Sequence, residues 1–239
     1  LTNGAAITSV LAESRIEAAV DTEVSIGNAS LDSAEDISIS AHSRAELDTS
    51  ADMDSYGGIV DIKGISYSNV DATNKVTVEP GAELLAEGTI NLMVGKNIFD
   101  HENYLKARAR TVIYNYGGLP ISDPHADGYI NLKNYISIKE NAVLKSAGDT
   151  SLITESGALL AEGRVSGTDW VRSALGAEII GGTGIPTVDS VVRVDGTIEV
   201  GLCSEHKVTI DEKGEVTYIG ERMPKITKKK AILSNYLLD

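Results

Sequence analysis

One layout of residues returns in this chain at a fixed distance. Val76 to Leu92 reads VTVEPGAELLAEGTINL, and sixty positions later Ile136 to Leu152 reads ISIKENAVLKSAGDTSL. Aligned without a gap, Val76 falls on Ile136, Val78 on Ile138, Leu84 on Leu144, Gly88 on Gly148 and Leu92 on Leu152. A looser copy, VSIGNASLDSAEDISI, covers Val24 to Ile39 if one residue is skipped. Apolar residues alternating with polar ones mark a strand with one buried face, and the Gly, Asn, Asp or Pro between the runs marks a turn. The unit is strand, corner, strand. Such a unit cannot bury its apolar face alone, so recurrence implies copies stacked along one axis. The strands are short and no helix-period segment separates them. The expected fold class is all-β, a parallel β-helix or β-solenoid.

Composition agrees with a thin stack. Hydrophobic residues make up 42% of 239, with nine Tyr but one Phe and one Trp, which suits a narrow aliphatic interior. The formal charge is −14. Residues 221–239 are basic, five Lys or Arg against two acidic residues, so the rest stands at 16 basic against 33 acidic. A surface of that sign repels phosphates, which argues against nucleic acid or anionic lipid as a partner. Cys203 is the lone cysteine, so there is no internal disulfide and no zinc cluster of cysteines. No apolar run approaches the ~20 residues that cross a bilayer, so direct membrane insertion is not expected. No signal peptide is in view and the chain begins at Leu1; the expectation is a processed leader or an internal piece of something larger.

Along the chain, Ile7, Val10, Ile16, Val20, Val24 and Ile26 are candidate inward positions, with a helix over LAESRIEAAV as the competing reading. AHSRAELDTSADMDSYGG then reads as an acidic, solvated corner. Two stretches break the rhythm and are expected to be irregular inserts, about 95–131 and 166–190. The first gathers four of the nine tyrosines and two of the four histidines. Loops of this kind on one face of a solenoid often bind something, so Tyr104, Tyr114, Tyr116 and Tyr129, with His125 and Asp127, form a candidate contact surface. An ordinary strand over Val112, Tyr114 and Tyr116 before a Gly117-Gly118 turn is the plainer reading. After the second clear copy, Leu159, Leu160, Ala161 and Gly163 echo the LLAEG of residues 84–88. Asp195-Gly196 separates two alternating runs and fits either a solenoid corner or a hairpin. The β-helix is expected to span 1–220. Residues 221–239, with Ile232, Leu233, Tyr236 and Leu237 at helical spacing, read as a cap or as a connector to a further domain.

Several groups of residues suggest a chemistry. Asp48, Asp52 and Asp54 suggest calcium, but lack the spacing and terminal Glu of a calcium loop. Asp123, His125 and Asp127 with Arg108 or Arg110 are the carboxylates and cations a polysaccharide-cleaving β-helix would need on one face. Asp100, His101 and Glu102 are candidate metal ligands, although adjacent residues seldom ligate together without help. The Gly181-Gly182-Thr183-Gly184 run lacks the Lys-Ser/Thr of a phosphate loop. His42, His101, His125 and His206 are scattered, and Cys203 with His206 makes no nucleophile pair if both lie in a strand. No catalytic, cofactor or metal residue is assigned.

The recurring V-x-V, the Ala or Leu before A-x-G, the closing I-x-L and the Ser, Thr, Asp and Gly-rich corners resemble bacterial filamentous haemagglutinin-like proteins, over roughly residues 7 to 220. The resemblance implies a right-handed parallel β-helix in the repeat region of a large secreted adhesin or exoprotein. The amino-terminal secretion motif of that family is not found here. The expected role is a stiff spacer or filament part, secreted or at the cell surface. Its expected partners are a host or neighbouring-cell surface or a surface glycan, with possible lateral self-association. The alternatives are a carbohydrate-active β-helix enzyme, lyase or depolymerase, and a calcium-dependent binding module.

Overall fold

The computed structural model describes residues 2–171, 175–201, 207–210, 216–219 and 232–235. Among the described residues all sixteen elements are strands. The first pass of the chain comprises β1 (Thr2–Ile26), β2 (Ser30–Ser33) and β3 (Ile37–Ala41). The second comprises β4 (Arg44–Val78), β5 (Glu83–Ala86) and β6 (Ile90–Val94), and the third β7 (Tyr104–Ile138), β8 (Val143–Ser146) and β9 (Thr150–Thr154). The fourth runs through β10 (Ala158–Val171), β11 (Leu175–Gly181), β12 (Thr183–Val194) and β13 (Thr197–Val200), and β14 (Lys207–Ile210), β15 (Val216–Ile219) and β16 (Ile232–Asn235) follow. Each of the first three passes visits the same three sheets in the same order, and equivalent strands pair in parallel.

The sixty-residue alignment appears in the structure as direct pairing: Val78 with Ile138, Leu84 with Leu144, Leu92 with Leu152. The looser copy also pairs, Ile26 with Val78 and Ile37 with Ile90, and the residue to be skipped falls in the corner between them. Corners follow from local chemistry. Pro80-Gly81 stand centrally in a turn closed by Ala82 N–H to Glu79 C=O (3.1 Å), and Gly81 takes φ +81°. Proline presets the first central residue of such a turn and glycine tolerates the positive φ of the second. One pass later Glu140-Asn141 do the same, with Asn141 at φ +65°. Asp195-Gly196 is a shorter corner at the equivalent place and not a hairpin, since β12 and β13 continue the parallel ladders of β7 and β8. In the sheet of β8 and β13, antiparallel pairing begins with β14 and β15.

Between the corners lies an aliphatic core of Ile26, Val76, Val78, Leu84, Ile90, Leu92, Ile136, Ile138, Leu144, Leu152, Val194 and Ile198. Full burial of each such side chain contributes about 1.5–3 kcal/mol, so this column is the main source of cohesion.

The second component was not expected. Of the expected insert 95–131, residues 95–103 are a loop but 104–131 are not irregular, because Tyr104–Ile138 is one strand paired in parallel to Arg44–Val78. The acidic "corner" is likewise strand. Each long strand goes out, bends at a glycine pair and returns, at Gly57-Gly58 in β4 and Gly117-Gly118 in β7. The two limbs lie face to face: Thr111 Oγ1 on the outgoing limb donates to His125 C=O on the returning one (2.6 Å), and Ser66 Oγ donates to Arg110 C=O (2.7 Å). Between them sit Val70, Leu105, Ile130 and Leu132 nearer the core, then Ala109, Ala126 and Val165, then Val10, Met53, Val60, Ile62 and Ile113. The result is a two-layered blade projecting from the aliphatic column. At its neck, buried Asn74, Asn103 and Asn134 link Ser43, Glu155 and one another.

Other expectations change with the blade. The Val10 to Val20 stretch is strand, and Ile7 points outward, 74% exposed. Leu159 to Gly163 pair with Leu105 to Ala109 on the blade, so their echo of residues 84–88 marks no equivalent corner. Residues 166–190 are mostly strand: β11 folds back antiparallel on β10, and β12 then rejoins β7 at Thr183. Within 221–239, Ile232–Asn235 form a strand beside β9 instead of a helix; Tyr236, Leu237, Cys203 and His206 lie outside the described residues.

The upper rim of the blade carries prolines. Lys139 N–H bonds down to Val78 C=O (2.9 Å) and Asp195 N–H down to Ile138 C=O (2.8 Å). Strand alternation counted back from these places the even-numbered amides of both returning limbs on the upper side. Among the described residues no strand pairs above 119–126 or above β12. Pro120, Pro124 and Pro186 are all even-numbered, so they remove N–H groups that an unpaired rim would offer to another chain.

Candidate functional site: the two faces of the blade

Alternation along each limb turns odd-numbered side chains of the outgoing strand inward and even-numbered ones outward; after the glycine pair the parity reverses. The blade therefore has two separate outer faces, and ladders of pairing give their composition.

On the outgoing face, Arg44 lies over the Tyr104 ring at 5.2 Å near the neck. Next, Lys106 Nζ bonds Asp48 (2.7 Å) and Glu46, whose carboxylates raise the lysine above its ordinary value. Arg108 Nε donates to Glu162 (2.9 Å). Arg110 and Arg164 occupy one ladder with Ser50. At the tip Tyr56, Tyr116 and Trp170 stack across three passes, ring centroids 4.7 and 6.4 Å apart with interplanar angles of 5°. Desolvation in this stack pushes the Tyr116 hydroxyl up, with neighbouring Tyr56 adding to it.

On the returning face, Arg15 lies over Tyr67 at 4.5 Å and Tyr67 leans on Tyr129 at 5.6 Å. Asp123 accepts from Lys63 Nζ (3.2 Å) and contacts His125 Nε2 (2.9 Å). The tip of this face is an exposed aliphatic ladder of Ile7, Ile59 and Leu119, with Ile121 beside it.

The six candidate contact residues thus form no single surface. Tyr104, Tyr114 and Tyr116 belong to the outgoing face and His125, Asp127 and Tyr129 to the returning one, because the turn at Gly117-Gly118 intervenes. For the same reason Arg108 and Arg110 do not meet Asp123, His125 and Asp127: the buried layer of Ala109, Ala126 and Val165 separates them. Asp48, Asp52 and Asp54 are strung along β4 at alternate positions, with Asp48 committed to Lys106. Asp100, His101 and Glu102 sit in the loop before β7, where Asn97 Oδ1 accepts from the His101 amide (3.1 Å). Among the described residues no three His, Cys, Asp or Glu side chains converge as a metal group. The sequence reading missed Tyr56 and Trp170. The signal was present: Tyr-Gly-Gly at 56–58 recurs at 116–118, sixty positions on.

The hydrogen bond from Lys63, assisted by the charge of Lys63 and then of His125, holds the Asp123 carboxyl below the usual carboxylate range. The group is an ionised acceptor and not a poised proton donor. Replacing Lys63 by methionine is expected to move the Asp123 titration upward, read by carboxyl-carbon NMR; an unmoved midpoint would show that the lysine contact is not made in solution.

No family model, curated protein or solved structure matches this chain.

Proposed function

We propose that this chain is a structural and adhesive segment of a secreted or cell-surface bacterial protein. In this reading the stack is a right-handed parallel β-helix acting as a stiff spacer, and the blade is the contact surface it presents to a host or neighbouring cell or to a surface glycan. The observation that carries the reading is the blade itself. It repeats over successive passes, it is held by its own interior, and it exposes aromatic and aliphatic ladders on its outer faces near the tip, where a folded core has no use for them. Exposed apolar ladders rimmed by charge are a common sign of an interaction site. The strongly acidic balance of the chain argues against a nucleic acid partner.

Beads coated with the chain are expected to adhere to cells, and adhesion is expected to fall at least fivefold in a variant combining Tyr56→Ser, Tyr116→Ser, Ile59→Ser and Leu119→Ser. These side chains are on the outside of the blade, so the variant retains its fold, as circular dichroism would verify. Equal adhesion by folded variant and parent would remove the adhesive role from the blade.

A further inference from the structure

Arg110 and Arg164 are stacked on neighbouring strands of the outgoing face, directly paired in the β7 and β10 ladder. Like charges so placed repel, and a sheet ordinarily answers them with an opposite charge on the same ladder. Here the third member is Ser50. Two acids on the adjoining ladder are already engaged, Asp48 by Lys106 (2.7 Å) and Glu162 by Arg108 (2.9 Å). Among the described residues neither Arg110 nor Arg164 has an ion-pair partner, although the chain holds 35 acidic residues against 21 basic. Two exposed guanidinium groups are thus left together beside a groove of about 530 Å³, lined by Asp48, Ser50, Arg108, Arg110, Glu162 and Arg164.

That groove does not end there. Ser166 lines it and also lines a second one of about 470 Å³, whose other walls are Tyr114, Gly167, Thr168, Trp170 and Glu178. The pair runs along β10 from Arg164 to Trp170, six residues or ~20 Å at strand rise. One end is cationic, the middle offers the hydroxyls of Ser166 and Thr168 with Tyr114 and Glu178 in register on either side of Thr168, and the far end is Trp170. Trp170 is opposite Gly176 on the antiparallel β11, so no side chain is set against it on that ladder.

We infer that this groove binds an acidic oligosaccharide, with a carboxylate or sulfate held between Arg110 and Arg164 and a sugar ring packed on Trp170. Guanidinium forks match the planar oxygens of such groups. Hydroxyl and carboxylate side chains along the middle suit sugar hydroxyls, and the aromatic end gives an apolar sugar face a partner. A bare polyanion would use the arginines but not the tryptophan. The inference deepens the adhesive reading and rests on it.

The test is calorimetric titration of the whole chain with three probes: tetragalacturonate, a sulfated chondroitin tetrasaccharide and neutral maltotetraose. At least one acidic probe is expected to bind, weakening as salt rises, with maltotetraose showing no heat. Arg110→Ser with Arg164→Ser is expected to weaken it tenfold or more, and Trp170→Ala fivefold or more, with unchanged circular dichroism in each. Tetragalacturonate alone binding would specify a carboxylate ligand, and the chondroitin probe alone a sulfate. Binding insensitive to the arginines, equal binding of maltotetraose, or no binding by any probe would overturn the inference. So would equally tight binding of an oligothymidylate that ignores Trp170→Ala, since that is charge attraction without a sugar site. Bead adhesion that persists alongside any of these failures leaves the adhesive reading standing and removes only this groove.

Discussion

Gly128→Val is expected to cost about 3 kcal/mol, at the upper end of what overpacking a close-packed interior does. Gly128 lies on the returning limb of β7, where the limbs come nearest. A Cβ there would stand 2.6 Å from both Ala107 C=O and Glu162 C=O, and 2.8 Å from the Glu162 amide. All three are backbone atoms of paired strands, so no side chain can swing aside. The same pinch recurs one pass on, where a Cβ on Gly163 would meet Ala126 C=O at 2.1 Å and Thr183 C=O at 2.2 Å. Relief therefore requires the limbs to part, which exposes the Ala109, Ala126 and Val165 layer. For a chain of this size the loss corresponds to roughly 6–12 °C in melting midpoint. Contacts in a stack are with nearest neighbours, so the damage stays local. Hydrogen exchange should accelerate over 104–138 and 158–171 while amides of 76–94 in the aliphatic column keep their protection. An unchanged midpoint would mean the limbs are not packed face to face.

Asn134→Ala is the second large effect, again about 3 kcal/mol, through buried polar groups that each lose a hydrogen bond. Asn134 Oδ1 accepts from Asn74 Nδ2 (3.0 Å), and its own Nδ2 donates to Glu155 C=O (2.7 Å). Asn74 and Asn134 are fully buried, so water does not replace what is removed. A buried donor or acceptor stripped of its partner costs about 1–3 kcal/mol, and here one of each is affected. Partial compensation is built in, since Asn74 Nδ2 keeps Asn103 Oδ1 (3.1 Å) and Glu155 C=O keeps Asn103 Nδ2 (3.4 Å). Asn134→Leu separates volume from hydrogen bonding: it fills the space but leaves the same hydrogen bonds unmade. Both variants should lower the urea midpoint by similar amounts. A leucine variant as stable as the parent would show that the neck is held by packing alone.

The column of core residues was legible from sequence because three constraints coincide there: period-two burial, turn residues with demanding backbone angles, and a repeat without gaps from Val76 to Leu92. The blade was not. Alternation in Arg44 to Gly57 tells that the segment is half-buried but not against what, and its outward Asp48, Asp52 and Asp54 look like a solvated loop. The decisive clue was a change of parity. Leu47 and Met53 are inward at odd positions and Val60 and Ile62 at even ones, with two glycines at the change. Leu105 and Ile113, then Ile130 and Leu132, repeat it. Reading 95–131 as an insert also placed Arg108 near Asp127, because closeness along the chain stood in for closeness in space. In a strand that doubles back, residues nineteen apart end on opposite outsides.

The prolines of the returning limb give the molecule a direction. Below, β1 offers its odd-numbered amides over 25 residues with no proline among them, and among the described residues nothing pairs there. Above, Pro120, Pro124 and Pro186 silence the places where a visitor would bond. A head-to-tail fibre needs the top of one copy to zip onto the foot of the next, and that join is spoiled on one side. Among the described residues the proline-bearing rim is therefore a poorer template for an added strand than the foot along β1.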